Sequence, residues 1–157
     1  MAAHTDNAVV IDAPMELVWE MTNDLASWPT LFSEYASAEV LQQNADTARF
    51  RLTMHPDPAG NAWSWVSERI LSRRTGTVRA HRIETGWFEY MQILWSYRQT
   101  PGGVELRWIQ DFAMKRDAPV DDAGMSTRIN ANTAEQQARI KRQVEARATD
   151  LVRRPGA

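Results

Sequence analysis

The chain contains no cysteine. That excludes a disulfide framework, a thiolate nucleophile and cysteine metal sites, and it fits a reducing compartment. Histidine is nearly absent too. His4, His55 and His81 are scattered, His55-x-Asp57 is a weak pair beside a turn, and no H-E-x-x-H spacing exists to hold a metal. There is no G-x-S-x-G elbow and no phosphate-cradling glycine loop. No metal or nucleotide cofactor is therefore called for. Excess positive charge is also missing: the net charge of −2 removes the electrostatic case for nucleic-acid binding. No apolar run approaches membrane-spanning length, and the start MAAHTDNAVV lacks the basic-then-apolar pattern of a signal peptide. The expected location is the cytoplasm.

What is present is one domain's worth of chain, residues 1–157, with 43% hydrophobic and 24% charged residues, an ordinary globular balance. One feature of the composition is unusual: seven Trp and seven Met stand against four Phe and three Tyr. Trp supplies a large flat apolar surface and Met a flexible filler. Both suit a cavity that holds something flat and apolar, and both equally suit a bulky core.

Hydrophobic spacing predicts a strand over residues 7–11 and a helix over 14–23, with Asp12 or a neighbour capping it and Pro14 in its first turn. Trp28-Pro29 ends that helix, and 29–35 reads as a second short helix carrying Phe32 and Tyr35 on one face. Period-two alternation then predicts strands at 38–43, 47–54, 62–72, 77–84, 88–99 and 104–114, separated by Gly-, Pro-, Asn- and Asp-bearing breaks. A polar link at 116–124 leads to one long helix, 125–152. Strands followed by a terminal helix imply an α+β fold, a seven-stranded antiparallel curved sheet with the long helix laid on one face.

The stretch WSWVSER, residues 63–69, is the sharpest local signal. Alternation puts Trp63, Trp65, Ser67 and Arg69 on one face. Two indoles with a guanidinium suit neither a dry core nor a wetted surface. A turn at Thr75-Gly76 places Arg69 opposite Arg82, and a loop at Pro101-Gly102 places Trp95 opposite Trp108. One sheet face then collects Trp63, Trp65, Ser67, Arg69, Arg82, Met91, Trp95 and Trp108. Facing arginines repel. Either Glu68, Glu84 or Glu89 neutralises them, or an oxygen-rich ligand lies between them. The long helix bears a stripe of Ile129, Thr133, Gln136, Ile140, Val144 and Leu151, and its first half is polar, as a helix covering a partly wet cavity would be.

The segments APMELVWEMTNDLASWPTLFSEY, WSWVSERI, TVRAHRIETGWFEYM and RWIQDFAMK resemble the single-domain aromatase/cyclases of bacterial type II aromatic polyketide pathways, the tetracenomycin and spore-pigment branch, from Ala8 to about Arg142. The resemblance implies a Bet v 1-like (START) helix-grip fold with a cavity between sheet and long helix. It also implies the activity: a linear poly-β-ketone delivered on an acyl carrier protein, with other type II polyketide synthase subunits as partners, undergoes regiospecific first-ring aldol cyclisation (C9–C14) and dehydration. By matching motif, Arg69 polarises a carbonyl and stabilises the enolate, Tyr35 is the acid/base hydroxyl and Arg82 positions oxygens. Trp28, Phe32, Trp63, Trp65, Ser67, Met91, Trp95, Trp108 and Gln136 bind substrate. Trp87 stands where the family pattern leads us to expect proline, at the cavity mouth. Tyr35, near an arginine, is expected to have a lowered pKa. The competing reading is a non-catalytic carrier of hydrophobic ligands on the same fold. An assembly factor working through the sheet exterior would need an exposed apolar patch there, and the strand alternation shows none.

Overall fold

Alternating burial along the chain builds seven strands: β1 (Ala3–Ile11), β2 (Tyr35–Gln43), β3 (Thr47–Met54), β4 (Ser64–Ser72), β5 (Thr77–Arg82), β6 (Phe88–Thr100) and β7 (Gly103–Met114). In the computed structural model, which describes residues 2–153, they form one antiparallel sheet in the order β1-β7-β6-β5-β4-β3-β2. Hairpin connections place β2 to β7 side by side, and β1 completes the sheet by pairing with β7. Three helices cover one face: α1 (Met15–Asn23), α2 (Trp28–Leu31), which follows a 3-10 turn at Leu25–Ser27, and α3 (Asp122–Arg153). The predicted α+β helix-grip architecture is what the chain adopts.

Differences in detail have local causes. The second short helix stops at Leu31, and Tyr35 opens β2 instead of closing a helix. Its ring still meets Phe32, 5.1 Å between centroids. β1 starts at Ala3, four residues early, because its polar alternation pairs across the sheet, Arg107 with Asp6 and His4 with Asp111. α1 has no side-chain cap; the amide of Asp12 instead donates to Glu145 Oε2 at 2.8 Å. Asp121 caps α3, its Oδ1 accepting from the Gly124 amide at 2.8 Å, so that helix begins three residues before Met125.

One predicted register is overturned. The β4–β5 turn takes four residues, Arg73 to Gly76, and closes on the pair Ser72–Thr77, so Ser67, not Arg69, lies opposite Arg82. Gly76 sits at φ +67, and a Cβ there would come within 2.9 Å of the Tyr97 carbonyl, which fixes the glycine at the end of the turn. The slip is two residues, so every side chain keeps its face and the two arginines become diagonal neighbours. The β6–β7 hairpin closes as predicted, with Trp95 opposite Trp108.

The domain is packed at one end and hollow at the other. Ile11, Val18, Val104, Leu106, Ile140 and Val144 are fully buried where α1 and the C-terminal half of α3 cross the sheet. Leu151, predicted on the same stripe, is 44% exposed, because the last turns of α3 run past the buried core. Polar side chains fasten the rest of α3. Gln137 and Lys141 donate to the Asn7 and Val10 carbonyls of the edge strand, and Arg139 and Gln143 to the Leu31 carbonyl. Outside, Leu41, Ile70 and Ile83 are exposed, so the exterior is not wholly polar.

Candidate active site

The hollow end is a cavity of about 1090 Å³ between the sheet and the first half of α3. Six of the seven Trp line it: Trp28, Trp63, Trp65, Trp87, Trp95 and Trp108. Trp95 and Trp108, cross-strand partners, stack at 4.6 Å with planes 10° apart, and Trp28 stacks on Trp95 at 5.8 Å. Trp63 and Trp87 are 48% and 42% exposed and stand at the mouth. The Trp63 indole N–H donates to Asp57 Oδ2 at 3.2 Å, and the same carboxylate ties its own loop by accepting from the Ala59 and Asn61 amides.

Arg69 is 3% exposed. Its guanidinium lies 4.8 Å and 4.6 Å from the ring centroids of Trp28 and Trp95, and Nη2 donates to Asn23 Oδ1 at 2.6 Å. Among the described residues no carboxylate pairs with it. Glu68 and Glu84, expected as neutralising partners, bind Arg49 and Arg51 instead. Burial pulls the Arg69 pKa down to about 10, partly opposed by the hydroxyls of Tyr97 and Tyr35, which leaves it a cation at neutral pH. Arg82 sits 4.0 Å over Trp65 and 4.7 Å over Phe88 and is also lowered to about 10 by burial. Both guanidiniums face aromatic rings, and the Glu34 carboxylate lies near enough to Arg82 to favour its charge.

Tyr35 stacks on Trp28 at 6.0 Å and meets Trp65 edge-on. The expected lowering of its pKa is reversed. Burial, and then the neighbouring Glu34 carboxylate, hold the phenol well above its usual range and outweigh the pull of Arg82 and Arg69. Glu34 itself is pushed up by burial; its Oε2 accepts from Asn132 Nδ2 at 3.1 Å. Neither Glu34 nor Asn132 was singled out from the sequence as a site residue, since both turn inward only after the break between α2 and β2 and the pitch of α3 are known.

Phe32, Ser67 and Met91 join the wall, as do Phe50 and Gln110. Gln136 does not. It is 1% exposed, its Oε1 accepting from the Ser33 amide at 3.0 Å and its Nε2 donating to Ser33 Oγ at 2.7 Å and to Asn132 Oδ1. The amide one turn earlier, Asn132, takes the place at the cavity. Among the described residues no three His, Asp or Glu side chains gather as a metal site.

A curved antiparallel sheet gripping a long helix around a large, Trp-walled cavity with buried cations defines a helix-grip domain. Solved structures share the architecture. The aromatase/cyclase Zhui from Streptomyces sp. R1128 superposes with a TM-score of 0.82 at 20% identity, over 94% of this chain and 96% of its own. A START superfamily protein from Mycobacterium smegmatis superposes at 0.70 and 16%, over 94% and 98%. A provisionally named polyketide cyclase from Streptomyces cyaneus is 60% identical over 145 residues, 92% of this chain and 95% of its own. The profile of the family described as polyketide cyclase / dehydrase and lipid transport matches residues 11–149, and the chain belongs to that family.

Proposed function

We propose that this protein is a first-ring aromatase/cyclase of a type II polyketide synthase, working in the cytoplasm. It receives a linear poly-β-ketone from an acyl carrier protein and holds it in the cavity. There it promotes one regiospecific aldol closure, C9 onto C14, followed by loss of water. The observation that carries this reading is Arg69, a buried cation without a carboxylate, set among aromatic walls in the cavity. A carrier of apolar lipid gains nothing from such a charge, which is costly to bury.

The substrate's methylenes lie between carbonyls, so the protein need not supply a strong base. It must select which carbon meets which carbonyl, and positioning of that kind contributes several kcal/mol. The Trp walls restrict the bends open to the chain. Arg69 hydrogen-bonds the oxygen on which negative charge develops, and Arg82, diagonal to it, holds a second oxygen. Tyr35, protonated at neutral pH, donates its phenolic proton to the aldol oxygen and is not a phenolate base. Glu34, next to it and more basic than an ordinary carboxylate, accepts the proton from the attacking methylene. The carbon–carbon bond forms as that C–H electron pair moves to the carbonyl carbon. Glu34 then returns its proton to the Tyr35 phenolate, which resets both groups. Glu34 takes the second proton of the same carbon, that C–H electron pair forms the double bond, and the hydroxyl leaves with the Tyr35 proton as water.

The test is reconstitution with a minimal polyketide synthase and acyl carrier protein, with and without this protein, the products being resolved by mass spectrometry and NMR. A shift from the spontaneous mixture to one aromatised regiochemistry supports the cyclase. An unchanged mixture, with a polyphenol still bound, assigns a carrier.

A further inference from the structure

Behind the cavity wall, Arg69 is held by a chain of hydrogen bonds whose direction can be assigned. Thr22 Oγ1 has one proton and donates it to the Val18 carbonyl at 2.7 Å. The 2.7 Å contact between Thr22 Oγ1 and the Tyr97 hydroxyl is therefore donated by Tyr97. The Tyr97 oxygen in turn accepts from Asn23 Nδ2 at 3.2 Å, and the same Nδ2 donates to the Trp19 carbonyl at 2.9 Å. Two acceptors around Nδ2 fix the amide's orientation, so Oδ1 must point at Arg69, which donates to it at 2.6 Å. Every dipole in the sequence Arg69, Asn23, Tyr97, Thr22, Val18 runs the same way, away from the guanidinium. The chain ends on the Val18 carbonyl, within α1.

A salt bridge would be the ordinary way to keep an arginine buried. Here the partner is a neutral amide, which orients the guanidinium and cancels none of its charge. We infer that Asn23 is a positioning residue whose neutrality reserves the full charge of Arg69 for an anionic oxygen of the ligand, an enolate in the reaction or a phenolate in an aromatic product. The inference rests on the cavity binding such a ligand and concerns the same site as the cyclase reading.

The probe is emodin, a trihydroxyanthraquinone whose visible absorption reports ionisation of its phenols. Bound to the wild-type protein, its first phenol pKa is expected to fall by about one unit or more, because the cation favours the phenolate. In Asn23→Asp the new carboxylate neutralises Arg69 and the bound phenol returns to its solution value, although the protein stays folded by circular dichroism. In Asn23→Ala the charge survives without its orientation: the phenol pKa stays depressed while the products of the reconstituted synthase revert to the spontaneous mixture. A folded Asn23→Asp that depresses the phenol pKa as the wild type does overturns the inference, and so does a wild-type protein that binds emodin without shifting it. Should Asn23→Asp fail to fold, wild-type product ratios from Asn23→Ala overturn it equally. The titration needs no polyketide synthase, so it reads the role of Asn23 even where the protein leaves polyketide products unchanged.

Discussion

At the scale of single residues the site is a set of polar groups whose proton affinities are set by where they are buried. Alternation in WSWVSER was enough to place Trp65, Ser67 and Arg69 on one face, and the structure keeps them there. The partner of Arg69 was not legible, since Asn23 lies 46 positions earlier and reaches it only through the placement of α1 against β4. The raised pKa of Tyr35 is illegible for a related reason: the arginines can be counted in the sequence, whereas the depth of burial and the inward turn of Glu34 cannot. Two expectations follow. Tyr35→Phe keeps the ring contacts and removes the donor, so correctly closed product should fall by about a hundredfold or more in the reconstituted assay, with little change in emodin binding. Glu34 acts as a base only when ionised, and burial raises its pKa, so cyclisation is present above that raised pKa and is lost as pH falls through it. A pH–rate profile should show this acid limb, and Glu34→Gln should lower the plateau and flatten the limb. Because ionised Glu34 is disfavoured in the folded state, the variant should melt no lower than wild type at pH 8.

At the scale of elements, hydrophobic period identified all seven strands and the long helix. Turns are less legible, because hairpin register depends on backbone torsions that side-chain pattern does not report. The Pro-Gly-Gly run at 101–103 marks the β6–β7 loop in the sequence, and Gly103 takes φ +133, where a Cβ would fall 2.2 Å from the Ile11 carbonyl. Gly103→Ala should therefore displace β1 from β7 and lower the melting temperature more than any other glycine-to-alanine change in the hairpins. The stripe on α3 placed Gln136 on the inner face correctly and its task wrongly: inner positions near Ser33 fasten the helix, and only those a turn nearer its start reach the cavity. Gln136→Leu leaves the Ser33 amide without its acceptor, a loss of about 1–3 kcal/mol. At roughly 2–4 °C per kcal/mol for a chain of this size, the loss should appear in a thermal melt, with the regiochemistry of the products unchanged.

At the scale of the whole molecule, the excess of Trp in the composition is resolved by location, since all but Trp19 line the cavity. A ligand that fits the cavity of about 1090 Å³ binds only the folded chain and should stabilise it. At a hundred times its Kd such a ligand contributes about 2.7 kcal/mol, so a polyphenol should raise the melting temperature by roughly 5–10 °C and quench tryptophan fluorescence together with it. Family membership does not distinguish catalysis from transport, because the family is described by both. The distinction lies in the charge of Arg69, and one measurement addresses it: the ratio of enzymatically closed to spontaneous products formed by a reconstituted synthase with wild-type protein and with Arg69→Ala, both shown to be folded and to bind emodin. The account predicts a single aromatised product from the wild type and the spontaneous mixture from Arg69→Ala. The same single product from both proteins would contradict it.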